Sequence, residues 1–558
     1  MHIERHLTCD VLVVGTGLAG LRAAYDVAAD GLNVLVISKG RLCSGASFYP
    51  LTGGLGAQLP RDAADKNDYL EELLDSGDGI ADEHLCHIMV DEITDQVGRL
   101  PQLGIEVAQA AGRPACFAKR ERILKVWRNW DRIRKNVTDI FSSQELLTVM
   151  QHCDVLKLLH RDNRIIGALL IDNNSQLVYV KTSTVILATG GYCGLYKHSL
   201  NTDDVCGIGH SVALEAGAEL INLEFMQFIP GLTAPVYKLL FGEISLWHCQ
   251  EILDQDRKPA LRAFLPEDVS LEQCIRDRSM HGPFTTRDNS KYLELAIMKD
   301  VIEHHREQGF IIRYKQSINE DSNELVASLR KLYADHDIDL AKQEISIAPF
   351  AHCANGGIFI DEHACTSVHG LFAAGEAAGG IHGADRHGGA ATAVCLVFGA
   401  RAANAACTYS KQTSPPEVLS DTEIVDSFMQ WIDTKTNSSI SPHDVLHTLR
   451  EQLWLRANVL RSKELSLPVL NWIEKTRKAY NAARAIESGY DVKLSMQAFH
   501  ALRTSESLLK AILRREESRG PHYRADFPNR NEALTGKRIK VSEKDHEIIV
   551  SYEEGKRP

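Results

Sequence analysis

The residues from Asp10 to Ser38 constrain the fold more than any other part of the chain. DVLVVG is an unbroken apolar run, as a parallel strand covered on both faces must be. Gly15, Gly17 and Gly20 follow in the pattern G-x-G-x-x-G. LAGLRAAYDVAADG then reads as a helix closed by Gly31, and NVLVIS as the next strand. In that setting the first glycine permits a tight turn, the second lets backbone approach a pyrophosphate, and the third lets helix pack on strand. Leu18 and Ala19 open the helix, whose N-terminal N–H groups and positive dipole end suit a phosphate. The unit predicts a dinucleotide site. Its second strand ends in Ser38-Lys39, where an acidic residue usually holds a ribose diol; Ser38 can hydrogen-bond a nucleotide and Lys39 can attract phosphate.

A chain of 558 residues is too long for one core and should divide into two or three domains. Sixty-two Lys and Arg against 74 Asp and Glu leave a net charge of −12, which argues against a nucleic-acid partner. The thirteen cysteines form no C-x-x-C pair, so no iron–sulfur cluster or structural zinc is expected within the chain. Their odd number and apolar surroundings suit reduced thiols and a cytoplasmic location. The N-terminus runs directly into a strand without a secretory pattern, and no 18-residue window is uninterruptedly apolar. A direct membrane span is therefore not expected.

Further strand–turn segments occupy residues 155–172, 177–190 and 366–380, the last running into a helix of small residues through Arg401. Residues of about 230–350 are more polar, with helical patches such as YLELAIMKDVIEHH, and read as an inserted domain. A proline-containing linker, KQTSPPEVLSDT, precedes helical periodicity over about 423–518. Residues 537–552 alternate like a terminal hairpin.

Five ordered blocks, SGASFYPLTGGLGA, LATGG, HCANGG, LFAAGEAAGGIHGADRHGG and ESRGPHYRADFP, together resemble one family. It is the flavoprotein family of succinate dehydrogenase, fumarate reductase and L-aspartate oxidase. The resemblance implies an α/β chain: a Rossmann-like FAD-binding domain (1–229 and 351–415), an inserted α+β capping domain (230–350), a C-terminal helical domain (416–535) and a tail (536–558). Gly45, Gly53, Gly54, Thr189 and Gly190 fall in blocks that would surround FAD, Ala390 follows the fourth block beside the flavin, and the family's glutamate for the ribityl or ribose portion matches Glu376. Ser47 stands where respiratory members carry the histidine that bonds covalently to flavin, which implies noncovalent FAD.

On the substrate side the family passes hydride between a carbon and flavin N5 beside a carboxylate. His352 and Arg386 match its carboxylate-binding histidine and arginine; an ion pair of Arg386 with Asp385 or Glu376 is the alternative. Arg287, in HGPFTTRDNSKYLELAI, matches the proton-shuttling arginine when extra residues are allowed, whereas alignment from the helix places that position near Ser290 and Lys291. Two departures stand out. Ile229 replaces a histidine that grips a second carboxylate, and Glu243 is the nearest counterpart of a downstream Thr-Glu pair. Ala390-Ala391 also replace the family's Asn-Ser beside the flavin.

The expected function is an FAD-dependent oxidoreductase acting on a carbon near the carboxylate of a small substrate other than the standard C4-dicarboxylate. An electron-transfer or iron–sulfur protein partner is implied. An amino-acid oxidase like L-aspartate oxidase, and a flavin subunit resembling adenylylsulfate reductase, are the alternatives.

Overall fold

The structure, a computed structural model, describes residues 2–49, 51, 54–110, 115–433, 440–489 and 491–553. Its centre is a five-stranded, wholly parallel sheet in the spatial order Leu371–Ala373, Val185–Leu187, Val11–Val14, Val34–Ser38, Leu147–Gln151. Val11, Leu12 and Val13 are completely buried, which is why the first strand carries no polar residue between Asp10 and Gly15. The Leu18–Ala29 helix connects the central strand to its neighbour, and the Ala390–Gln412 helix packs along it. That crossing is close: a Cβ on Gly399 would lie 2.8 Å from the Ala19 carbonyl oxygen. Among the described helices, Ala390–Gln412 is long and apolar enough to cross a membrane, but 67% of its most apolar window is buried inside this protein. Its apolar surface serves the core.

A second sheet joins Ile3–Thr8 in parallel to the antiparallel meander Leu177–Lys181, Arg164–Ile171, Asp154–Arg161. Two long strands, Met226–Ala234 and Ile345–Ala354, pair antiparallel and lead into and out of the intervening segment. That segment adds Phe310–Tyr314 and Cys249–Leu253 to the same sheet and contributes the Leu271–Arg278, Lys291–His304 and Glu324–Ala334 helices. The helical region ends in Val492–Arg514, which packs against Lys463–Ala479, Pro442–Arg456 and Ile208–Glu215. The expected terminal hairpin forms from Arg538–Lys544 and Glu547–Glu553, turning through Asp545 and His546 in the left-handed region. It is no loose tail, because its first strand pairs with Leu220–Ile221 inside a five-stranded sheet.

One ionic network ties these pieces together. Arg515 is fully buried and reaches Glu224 at 2.6 Å and Glu517 at 2.8 Å; Arg519 grips the same Glu517 through Nε and Nη2, each at 2.9 Å. Arg461 donates to the Glu224 carbonyl and to His522 Nδ1, both at 2.7 Å. The segment ESRGPHYRADFP is thereby fastened to the residues just ahead of the Met226–Ala234 strand. Removing one partner of a buried ion pair strands the other. Arg515→Met should therefore lower unfolding free energy by roughly 3–5 kcal/mol, read from the urea midpoint of the FAD-loaded protein; an unchanged midpoint would show the network to be ornamental.

Candidate active site

The glycine turn opens a cavity at the carboxyl ends of the parallel strands, where ligands of such sheets bind. Gly15 sits at φ +117°, and a Cβ there would lie 2.2 Å from the Ala188 carbonyl oxygen. A Cβ on Gly20 would lie 1.9 Å from the Gly15 carbonyl oxygen. Gly17 differs: its Cβ would meet nothing nearer than Ser47 Oγ at 3.4 Å. Two glycines close the turn, and the middle one keeps the cavity floor bare for a ligand's backbone-close approach. Of the residues expected to hold FAD, Gly15, Gly17, Leu18, Ala19, Ser38, Lys39, Gly45, Ser47, Thr189, Gly190 and Glu376 all line this cavity. Gly20 supports it from beneath.

Ser47 accepts a hydrogen bond from the Leu18 N–H at 3.1 Å, so the SGASFYPL loop is anchored to the helix N-terminus. Ser38 is bonded to Thr16 at 2.8 Å and donates to the Arg41 carbonyl. Lys39 points toward Cys206 Sγ at 3.8 Å; burial opposes its charge, but Cys206, Asp154 and Asp204 together hold its pKa above the ordinary value. Asp154, Asp204 and Cys395 line the cavity without having been marked by any local motif. Glu376 accepts from the Ala354 N–H at 2.9 Å, and burial pushes its carboxyl up. It can meet a ribityl or ribose hydroxyl as acceptor or, when protonated, as donor. Gly54 lies under Arg128, with a Cβ position 2.8 Å from Arg128 Cγ. Ala390 is buried as the first residue of its helix, behind Gly389 at φ +82°. Gly53 falls outside the described residues.

Beyond the cavity, His352 occupies a bulge. Gln227 pairs with Cys353 and Phe228 with Ala351, so His352 is the extra residue, turned out of register. Burial, reinforced by the positive Arg386, pushes its imidazole down to about 3, and its Nδ1 has no partner among the described residues. His382 is held neutral in the same way, also near 3. Arg386 is 8% exposed and donates from Nε to Gln227 Oε1 at 3.0 Å, while its carbonyl accepts from Gln227 Nε2 at 3.5 Å. Among the described residues no carboxylate pairs with this guanidinium. Asp385 turns instead to Thr285, whose hydroxyl donates to it at 2.6 Å; burial, offset in part by Thr285 and Arg287, raises the Asp385 carboxyl to about 7. Glu376 feels the Arg386 charge without reaching ion-pair distance.

The remaining candidates are spread more widely. Arg287 is exposed and pairs with Asp75 at 2.8 Å, on the seam between the inserted segment and the Ala63–Ser76 helix. Ser290 is buried with its hydroxyl unpartnered, and Lys291 donates to the Thr286 carbonyl at 3.4 Å. Glu243 opens a short 3-10 turn and is half-buried; a Cβ on Gly282 would lie 3.7 Å from its Oε2. Ile229 is 6% exposed and opposes Phe350; it follows Gln227 by two residues and so shares its face of the strand. The structure thus joins Arg386 to the unforeseen Gln227, places His352 where it feels the Arg386 charge, and pairs Arg287 with Asp75 while the Arg287 charge still reaches Asp385.

Comparison with known proteins agrees with this fold. Residues 10–239 and 285–392 match the family described as FAD binding domain, and residues 447–556 match that described as fumarate reductase flavoprotein C-term. The chain is 28% identical over 551 residues to a subunit of the fumarate reductase (CoM/CoB) of Methanothermobacter marburgensis, covering 93% of this chain and 94% of the relative. It is 26% identical over 579 residues to L-aspartate oxidase of Vibrio cholerae, covering 98% and 100%. The fold superposes on Mycobacterium smegmatis Sdh1 in complex with UQ1 with a TM-score of 0.83 at 22% identity, over 99% of this chain and 95% of that one.

The glycines give a paired test. Gly17→Ala should yield a folded protein whose FAD affinity falls tenfold or more, about 1.4 kcal/mol, by fluorescence titration of deflavinated protein. Gly20→Ala should fail to accumulate as soluble protein at all. Equal behaviour of the two variants would contradict the division of labour within the turn.

Proposed function

The chain belongs to the FAD-binding-domain flavoproteins that end in a fumarate reductase flavoprotein C-terminal domain, and from that premise we propose what this FAD-dependent oxidoreductase acts on. It transfers hydride between flavin N5 and a carbon near the carboxylate of a small substrate. The observation that carries this reading is Arg386: buried, oriented by a neutral amide, unpaired with any described carboxylate, and beside a neutral histidine. Such a guanidinium offers a planar fork to a carboxylate. FAD, held noncovalently by Gly15, Gly17, Ser38, Ser47, Glu376 and their neighbours, would supply the hydride chemistry. The protein's own work is to bind the carboxylate through Arg386 and His352 and to exclude water from them. We assign no proton carrier beyond retaining Arg287 as the candidate, because its ion pair with Asp75 would have to be exchanged on substrate binding.

Ile229 shapes the other half of the proposal. It places a hydrocarbon on the same strand face as Gln227, where a second carboxylate would find neither charge nor donor. A monocarboxylate, or a substrate with an apolar, aromatic or amide far end, fits better than a C4-dicarboxylate. An amino-acid oxidase activity remains the second reading, supported by Ser47 on the helix N-terminus and by the likeness to L-aspartate oxidase. That the methanogen relative is one subunit of a larger reductase supports an electron-transfer or iron–sulfur partner. That none of the thirteen cysteines forms a disulfide supports a cytoplasmic, reducing location.

Anaerobic titration of the flavoprotein with enoates and amino acids tests the reading, with peroxide release marking the oxidase. Arg386→Ala should keep FAD and lose the carboxylate-induced change in the flavin spectrum, with kcat/KM down by roughly 100-fold or more; wild-type binding by that variant would end the proposal. Arg386 supplies permanent charge and His352 is neutral down to about 3, so any change in carboxylate affinity between pH 8 and pH 6 should come from the raised carboxyls of Asp385, at about 7, and Glu376, whose protonation removes negative charge near the fork and should strengthen binding as pH falls. A gain that persists undiminished in Asp385→Asn and Glu376→Gln would show that an imidazolium, rather than the guanidinium, does the binding.

A further inference from the structure

Resting on the carboxylate-binding reading above, we propose that Gln227 is the positioning residue of the site: its neutral amide fixes the Arg386 guanidinium by one edge and leaves the charge and both Nη groups to the incoming carboxylate. Gln227 is completely buried near the start of the Met226–Ala234 strand. Its amide meets Arg386 twice, with Oε1 accepting from Nε at 3.0 Å and Nε2 donating to the main-chain carbonyl at 3.5 Å. One side chain thus reads both the backbone and the head of one arginine, across 159 residues of sequence. The opposite strand is bulged at this level, which brings His352 out beside the same guanidinium.

The choice of an amide is the informative part. Other deeply buried arginines in this molecule are compensated by carboxylates. Arg122 has Glu72 at 2.8 Å and Asp65 at 3.2 Å; Arg278 has Glu294 at 2.7 Å; Arg515 has Glu224 and Glu517; Arg519 has Glu517; Arg22 has Asp26. Arg461 is the exception, and it is occupied by the Asn458 and Glu224 carbonyls and by His522. Arg386 alone among these is held by a neutral group at Nε and by nothing described at Nη1 or Nη2. An uncompensated desolvated cation is costly, and its cost is relieved by an anionic ligand. A carboxylate in place of the Gln227 amide would relieve it permanently and compete with the substrate. The amide orients the fork without neutralising it.

Four proteins decide the matter: wild type, Gln227→Glu, Gln227→Met and Arg386→Ala. Each is loaded with FAD and titrated anaerobically with crotonate and with fumarate, following the flavin absorbance, alongside flavin stoichiometry and thermal midpoint. The expected result is that Gln227→Glu retains FAD and its melting temperature but binds the tighter of the two probes roughly 100-fold more weakly. Gln227→Met, which keeps bulk and charge but loses the orientation, should weaken it roughly tenfold, mainly in KM once turnover is measured. Wild-type affinity in Gln227→Glu, with Arg386→Ala defective, overturns this inference and leaves the carboxylate reading standing. If Gln227→Glu does not take up FAD, wild-type affinity in Gln227→Met has the same force. An Arg386→Ala protein that binds both probes normally overturns both.

Discussion

The proposed carboxylate site depends on one antiparallel pair, Met226–Ala234 against Ile345–Ala354. These strands carry the chain into the inserted segment and back out, and they also carry Gln227, Ile229 and His352. A regular ladder could not present all three as found. Side chains alternate along a strand, so the bulge at His352 is what lets a residue from the second strand turn toward the arginine that Gln227 holds from the first. The site is therefore built on paired backbone, the most rigid support available, while Arg386 itself arrives on a loop. Asn355 fixes that loop as well, donating to the Ala384 carbonyl through Nδ2 at 2.5 Å. Rigid strands hold a loop-borne cation in place.

The nucleotide side obeys a different logic. There the constraint is steric, and it is exerted by backbone on backbone. Gly15 and Gly20 are demanded by carbonyl oxygens about 2 Å from where a Cβ would sit, whereas Gly17 is demanded only by what must approach it. The ends of neighbouring strands then deliver the polar rim. Ser38 and Lys39 end one strand, Asp154 follows the next after the turn through Cys153, and Thr189 and Gly190 follow a third. Lys39 keeps its charge in that rim despite burial, favoured by Cys206, Asp154 and Asp204.

These differences explain what was legible in the sequence. The Gly15–Gly20 turn was readable because its physics lies within six residues, and the parallel strands were readable because burial on both faces leaves an unbroken apolar run. Family motifs marked Arg386 and His352; the contact of Arg386 with Gln227 did not show, since it spans 159 residues and an amide in a strand carries no local mark. The same holds for Asp154, Asp204 and Cys395 around the cavity. Arg287 illustrates the converse. Its motif was local and visible, yet its partner is Asp75, 212 residues away, and no spacing rule could have supplied it. The terminal hairpin was visible as a hairpin from its alternation, but its pairing with Leu220–Ile221 was a tertiary fact.

The distribution of charge also bears on which molecules the proposed site can accept. A carboxylate entering it exchanges hydration for the Arg386 fork, and the neutrality of His352 and His382 means that no second positive charge is contributed by the nearby imidazoles. One cation suits one anion. A second carboxylate on the Ile229 side would be desolvated against hydrocarbon, and the penalty for an uncompensated buried ion is several kcal/mol, comparable to the whole advantage of the first pairing. On the proposed reading, discrimination against dicarboxylates would need no steric block; it would follow from the absence of a second compensating charge on the strand that carries Gln227 and Ile229. The same constraint makes the amide at Gln227 matter, because with a single positive charge available, any protein carboxylate within reach of it would leave the site with none.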